Sequence, residues 1–380
     1  MVMRTDVKRF NAADPGLSAN MNRGTLLTFF KAILATGYNS KTANIISISG
    51  NTVTLDYGVP HGYALYRVLK LSGNPLLSGE HVVTSVDINT LTIEIENQVE
   101  ASGTVTTQVA PLGFDLVYEA TNVAIYKFNY KGKEKYLRLY ETSLYNPYVN
   151  PSIGDGFNPN DGTLTGNIYP TDSTATQNPY RWNLGYSSSA SSNNPIPADI
   201  FGTTEGFVIA GRLTTSKQQG FVYGVMPWNT PFTALDGPIL LTHYLATYST
   251  TQSTAMTNFK MNLPVIGEVH ARFNETSSGS SGMSTSDLLA PLGNALPDVI
   301  QQFNAVSYTS MIIQAYGSHQ VLGYTNAIYR CLTNANVSPG KYYPNGVMET
   351  YDVLSGNKIW LHQLSSEYRC VVLDPYGGFS

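Results

Sequence analysis

Apolar residues along the chain follow two different periods. Between 23 and 36, Leu26, Leu27, Phe30, Ile33 and Leu34 recur at three- and four-residue spacing, which lines one face of a helix. Asn22 stands where an N-cap belongs and Gly37 follows as a stop, so the spacing predicts a helix over 23–36. Residues 1–22 are polar and lack periodicity, with Asp14-Pro15-Gly16 marking a turn. They predict an arm.

From 45 to 109 the pattern changes to short alternating runs at 51–55, 66–71, 81–86, 90–95 and 103–107. Turn signals such as Asp56-Tyr57-Gly58, Gly73-Asn74-Pro75 and Asp87-Ile88-Asn89 separate them. A small β-sandwich or barrel of roughly 65 residues is the expected product. The next stretch, 113–139, holds two runs rich in Val, Ile, Leu and Tyr, 113–127 and 135–139, on either side of a polar break containing Gly132. That reads as one β-hairpin.

Residues 140–199 are dense in Asn, Pro, Gly, Ser and Tyr and close on the serine-rich run 187–194. A loop of that length is either functional or wraps a neighbour. Strand patterns resume at 206–211, 220–225 and 238–241, and again at 310–316, 346–349, 357–362 and 368–374. Ser/Thr-rich stretches lie at 250–257 and 276–286, and a soft boundary is placed near 255–262. The expected fold is mainly β, with several small β-sandwich or barrel modules, one N-terminal helix and a long irregular insertion. The division is 1–37 for arm and helix, 38–111 for the first β-module, 112–260 for a central β domain, and 261–380 for a C-terminal β domain.

Composition sharpens this picture. With 380 residues there is room for two or three domains, and charged residues make up 13% against a usual quarter, while 33 Gly and 20 Pro supply turns. Net charge is −4, and no block of Lys or Arg offers the positive stripe that phosphate neutralisation needs. Direct nucleic-acid binding is therefore not expected. The basic opening is followed by a short apolar run, 26–30, that closes at Lys31 without a small-residue cleavage site, so no signal peptide is expected. No run approaches the roughly 20 apolar residues of a membrane-spanning helix. Cys331 and Cys370 both follow Tyr-Arg, and neighbouring strands could bring them close, but a reducing cytoplasm favours buried free thiols. There is no Cys-x-x-Cys or Cys/His cluster of the kind that holds zinc.

Candidate chemistry is sparse. Glu94 and Glu96, two apart on an alternating strand, put two carboxylates on one face at about 7 Å, within the range a glycosidase uses. Leu91, Ile93 and Ile95 opposite them read instead as the buried face of an ordinary half-solvated strand. The six histidines are scattered, without the short pairings of metal sites, and no Gly-x-Ser-x-Gly elbow occurs. Gly154-Asp155-Gly156 and Asn158-Pro159-Asn160-Asp161-Gly162 offer oxygens near glycines, but the spacing departs from the calcium-loop template, and plain turns are expected. Tyr140, Tyr145 and Tyr148, with Tyr342 and Tyr343, are the tyrosines that could stack on sugars or anchor an interface.

One stretch carries a resemblance. After Phe114, the run Tyr118-Glu119-Ala120-Thr121-Asn122-Val123-Ala124-Ile125-Tyr126, followed by Tyr136-Leu137-Arg138-Leu139, resembles a family of tailed-bacteriophage virion structural proteins. Family members usually follow Tyr-Leu-Arg with an acidic pair and a glycine, where this chain has Tyr140-Glu141-Thr142-Ser143. The order His61-Gly62, Leu77-Ser78-Gly79 and Val83-Thr84-Ser85-Val86 is similar to small β-modules that recur in phage tail and baseplate proteins.

The resemblance implies a structural subunit of the tail, baseplate or fibre-attachment region, and not an enzyme. Alternatives are a capsid-surface or neck decoration protein, or a host-glycan or receptor-binding module. It implies no cofactor or metal. The expected partners are other copies of the chain and other virion proteins, with host surface glycan as a further one, and the expected location is the phage particle, assembled in the host bacterial cytoplasm. The arm, helix and insertion would make the contacts, through Arg4, Arg9, Leu26, Phe30, Tyr140, Tyr145 and Tyr148.

Overall fold

The spacing of apolar residues after the N-terminal segment does produce a helix. In the computed structural model, which describes residues 5–17, 25–141, 148–170, 181–183, 198–212, 220–235, 237–242 and 320–331 together with the strands 258–263, 267–272, 308–314, 347–351, 358–363 and 370–373, helix α1 spans Thr25–Lys31 and widens into a π-helical turn over Ala32–Thr36. Asn22 lies outside the described residues. Leu26, Leu27, Phe29, Phe30, Ile33 and Leu34 are all buried, and each such side chain is worth about 1.5–3 kcal/mol of gross transfer free energy. The turn ends at Gly37, whose φ is +77° and whose N–H donates to Ala32 O at 2.8 Å. A Cβ here would lie 2.5 Å from Val109 O, so the stop read from the sequence has a steric basis.

Twenty-five strands and a short 3-10 turn at Thr233–Leu235 make up the rest of the described regular structure. Strand β1 (Lys8–Asn11) precedes the helix. Six strands follow it: β2 (Tyr38–Ser49), β3 (Thr52–Asp56), β4 (Val68–Ser72), β5 (Gly79–Val86), β6 (Thr90–Glu94) and β7 (Thr104–Val109). They close into a barrel in the order β2-β3-β6-β5-β4-β7. Closure removes both sheet edges. Val53, Leu55, Leu69, Leu71, Leu91, Ile93 and Val105 alternate along these strands and are buried. Strand β2 lacks that signal, because of its residues only Tyr38 and Ala43 are buried.

The stretch expected to be one hairpin is a three-stranded meander. Strands β8 (Asp115–Ala120), β9 (Val123–Tyr130) and β10 (Lys133–Glu141) pair in succession. Thr121-Asn122 is itself a two-residue turn between Ala120 and Val123, so the run 113–127 doubles back on itself. The Gly132 break falls where expected: Lys131 (φ +49°) and Gly132 (φ +79°) both take the left-handed conformation that tight hairpins demand.

The described parts of the insertion include strands. Strand β11 (Tyr148–Gly154) pairs with β10, a short hairpin joins β12 (Gly156–Phe157) to β13 (Leu164–Thr165), and β14 (Trp182–Asn183) completes a five-stranded sheet in the order β14-β11-β10-β9-β8. Alternation fails to announce β11 because Asn150 and Ser152 are polar yet buried. Beyond it run β15 (Ala198–Thr203), β16 (Gly206–Arg212), β17 (Gly220–Met226), β18 (Ile239–Thr242), β19 (Asn258–Leu263) and β20 (Gly267–Arg272). The last five are β21 (Tyr308–Gln314), β22 (Val321–Cys331), β23 (Val347–Tyr351), β24 (Lys358–Gln363) and β25 (Cys370–Leu373).

These eleven, with β1 at one edge, form a twelve-stranded antiparallel ladder, β1-β15-β16-β17-β18-β19-β20-β21-β22-β25-β24-β23. Two placements follow from it. Residues 8–11, expected to belong to an arm, are a strand paired with β15 of the same chain. Position 260 lies inside β19, and the ladder continues into β20 across the expected domain division.

Helix α1 packs where the sheets and barrel meet. Phe30 lies 5.7 Å from the Trp182 ring and 6.3 Å from Phe207, and Trp182 meets Phe207 edge-on at 5.9 Å. Phe114 stacks on Phe128 at 4.9 Å and touches Phe207 in turn. A single apolar cluster therefore joins helix, barrel, meander and ladder.

Candidate functional site

The most concentrated polar chemistry lies at the barrel end where the chain enters at Tyr38 and leaves at Val109. There β1 and the turn after it run between barrel and ladder. Arg67, buried just ahead of β4, places Nη2 2.7 Å from the Asp14 carboxylate and donates from Nη1 to Arg9 O. Asp14 also accepts from Tyr38 OH at 2.6 Å and from Asn11 N–H at 3.0 Å. On the ladder side, Asp199 Oδ1 accepts from Arg9 Nη2 at 3.0 Å and from Asn11 Nδ2 at 3.0 Å. Burial works against the Arg67 charge, but Asp14, Tyr38 and Asp199 raise its pKa above the usual guanidinium value. Burial pushes the Tyr38 phenol well up. Next to this node, Lys8 donates to Glu80 at 2.8 Å and to Pro111 O, with burial lowering its pKa against the pull of Glu80. These charges are spent on joining three parts of one chain.

A second polar group fills the same end of the barrel. The His61 Nδ1 accepts the Tyr63 N–H at 3.0 Å, so its proton sits on Nε2, which donates to Asp87 O at 2.8 Å. Tyr57 and Tyr63 flank the ring, and both hydroxyls reach Thr107 Oγ1 at 3.0 Å. Burial pushes the Tyr63 phenol up to about 12 and Tyr57 higher still. The Tyr57 N–H donates to Asn89 O and the His61 N–H to Ile88 O, which laces the β3–β4 loop to the β5–β6 turn.

On this laced rim the polarity reverses. Val59 and Leu65 in the loop are 57% and 37% exposed, and Val86 and Ile88 at the turn are 40% and 71% exposed. Four large apolar side chains are thus exposed on the loops of one barrel end, and exposed apolar surface, where it gathers, marks interaction sites. The turn at 87–89 could be read from the sequence; the exposure of Val59 and Ile88 could not, because it depends on which barrel end their loops share.

The residues proposed from sequence as contact residues fare differently. Leu26 and Phe30 are fully buried in the chain's own core, so they face inward where the sequence reading placed them at an interface. The amphipathic stripe was correct, but its partner is the ladder and β14 of the same chain. Arg9 is paired with Asp199. Tyr140, half-buried on β10, lies under the Arg138 guanidinium at 5.1 Å. Tyr148 opens β11 opposite Asn183. Arg4, Tyr145, Tyr342 and Tyr343 lie outside the described residues.

The remaining candidates have structural duties. Glu94 is the last residue of β6 and Glu96 lies exposed beyond it, so the two are not neighbours on one strand face. Asp155 accepts from Lys135 Nζ at 2.6 Å and from Asn167 N and Nδ2 at 3.1 and 3.0 Å. Burial would raise its pKa, but those donors bring it below the ordinary carboxylate value. Asp161 Oδ1 accepts from Thr163 N and Oγ1 at 2.9 and 2.7 Å, and Asn158 Oδ1 from Asn160 N at 3.1 Å. These oxygens brace the turn between β12 and β13. Among the described residues no group of three His, Cys, Asp or Glu side chains is placed to hold a metal, and no helix is long and apolar enough to cross a membrane.

No protein-family model matches the chain, and no curated protein matches it.

Proposed function

We propose that the chain is a structural, non-enzymatic subunit of a tailed-bacteriophage particle, built into the tail, baseplate or fibre-attachment region through contacts with copies of itself and with other virion proteins. The observation that carries this reading is the apolar rim of Val59, Leu65, Val86 and Ile88 on a closed barrel that the arm links to the ladder. An exposed apolar rim on a closed barrel suits assembly, because docking would remove that surface from water. The resemblance of 113–139 to virion proteins supports the same reading.

The test is to express the chain in phage-infected cells and to follow its incorporation into purified particles, using wild type and the Val59→Asp, Ile88→Asp double variant. Both positions are exposed, so the variant should fold with an unchanged melting temperature. The expected result is wild-type chain in the particle at fixed stoichiometry and loss of the variant from it. Absence of the wild-type chain from particles would overturn the assignment, and normal incorporation of the variant would remove the rim from it.

A further inference from the structure

Between β17 and β18 the chain makes a loop, 227–235, that lies against β22. Asn229 and Tyr324 form an antiparallel bridge, in which the Asn229 N–H donates to Tyr324 O at 2.8 Å and the Tyr324 N–H to Asn229 O at 3.0 Å. Thr230 Oγ1 donates to Leu322 O at 2.8 Å and accepts the Phe232 N–H at 3.1 Å, so Phe232 stands two hydrogen bonds from β22. Trp228 is buried at the start of the loop. Its Nε1 donates to Gly237 O at 2.8 Å, and its carbonyl accepts from Lys131 Nζ at 2.7 Å. Gly323 permits the close fit, since a Cβ there would run into Asn229 O and lie 2.8 Å from the Trp228 ring.

This clamped loop presents an aromatic and uncharged surface. Phe232, Val321 and Tyr324 are each more than a third exposed, and Asn229 is exposed as well. Residues that exchange both backbone hydrogen bonds in an antiparallel pair project their side chains from one face, with Cα atoms about 5.5 Å apart. The Asn229 amide therefore stands beside the Tyr324 ring. Neither 227–235 nor 320–324 contains a charged residue.

An aromatic ring has an electron-rich face that attracts polarised C–H groups, and an amide both donates and accepts hydrogen bonds. Those are the two needs of a sugar ring, whose C–H groups gather on its faces and whose hydroxyls line its edge. Three part-exposed side chains fall far short of the roughly 800 Å² per partner of a stable protein interface, but they suit about one or two hexose units. An ionic ligand would call for a countercharge, and both segments lack one. We propose that Asn229, Phe232, Val321 and Tyr324 form a binding site for uncharged polysaccharide, in which the two rings stack on hexose faces and the Asn229 amide bonds to hydroxyls. The site needs only the folded chain, whether or not a particle carries it.

The test runs the full-length chain through native gels cast with dextran or galactomannan, with polygalacturonate as the acidic comparison, and measures retardation against polysaccharide concentration. Wild type should be retarded by a neutral polysaccharide and not by polygalacturonate. Phe232→Ala and Tyr324→Ala should each raise the apparent dissociation constant about tenfold, the size of one lost stacking contact. Tyr324→Phe should keep wild-type retardation. Both side chains are exposed, so melting temperatures should stay where they are. No retardation in either neutral gel, equal retardation of the Phe232→Ala, Tyr324→Ala double variant, or tighter binding to polygalacturonate would overturn the proposal. Self-association that the double variant abolishes would overturn it too, by putting a second copy of the chain on this surface. Incorporation into phage particles is read separately and bears on none of these outcomes.

Discussion

Arg67 and Asp14 meet at 2.7 Å with their side chains almost wholly out of solvent, one on the barrel and the other in the turn after β1. The pair fixes the barrel to the N-terminal strand, and Asp199 fixes that strand to the ladder through Arg9 and Asn11. Removing one member of such a pair leaves the other buried without its countercharge, which typically costs about 3–5 kcal/mol. Asp14→Ala should therefore lower stability by about 3 kcal/mol in urea denaturation. The double variant Asp14→Ala, Arg67→Met should recover part of that loss, since no uncompensated charge remains. A double variant no more stable than Asp14→Ala would mean that the hydrogen bonds to Tyr38 and Asn11 outweigh the ion pair.

Helix and barrel could be read from the sequence because periodicity announced them: Leu26, Phe30 and Ile33 for the helix, and Val53, Leu55, Leu91 and Ile93 for the barrel. Strand β2 could not, since most of its side chains face solvent and Asn39, Ser40, Lys41 and Thr42 break any alternation. The same holds for β1, where Lys8 and Asn11 are buried polar residues whose partners, Glu80 and Asp199, lie far along the chain. Long-range polar pairing leaves no local pattern. The Thr121-Asn122 turn was missed for another reason: it carries neither Gly nor Pro, and the apolar runs on both sides merge into one. The apolar rim was hidden because exposure of Val59 and Ile88 is set by closure of the barrel and not by their neighbours in sequence.

The tyrosines at the barrel base predict an alkaline weakness. Burial holds the Tyr63 phenol up near 12 and Tyr57 above it, against about 10 in an unfolded chain. Below pH 10 both states keep their phenolic protons, and these two tyrosines add no pH dependence to stability. Above it the unfolded state ionises first and binds fewer protons, so stability falls as pH rises from 10 to about 12. Urea midpoints at pH 9 and pH 11 should show this fall, accompanied by little phenolate absorbance until the chain unfolds. The Tyr57→Phe, Tyr63→Phe double variant should start less stable at pH 9, having lost its bonds to Thr107, but decline less steeply.

Phe30 separates a core position from a contact position. Its ring is fully buried against Trp182 and Phe207, and a buried Phe→Ala change costs about 3–5 kcal/mol. Phe30→Ala should lower the thermal midpoint of the isolated chain and quench or shift Trp182 fluorescence. An unchanged midpoint with impaired assembly would instead place Phe30 at an interface between chains.

Tyr126, which ends the first run of the virion-like motif, should behave in the opposite sense. Its ring is fully buried on β9, and its hydroxyl has no hydrogen-bond partner among the described residues. Burial accordingly drives its phenol far above the ordinary tyrosine value. A buried hydroxyl left unpaired costs about 1–3 kcal/mol, whereas the phenylalanine of the same shape carries no such cost. Tyr126→Phe should therefore raise stability, by about 1 kcal/mol in urea denaturation, and leave the barrel and meander unchanged. A loss of similar size would mean that the hydroxyl has a partner in the folded chain, and the motif's tyrosine would then be a polar contact instead of a packing residue.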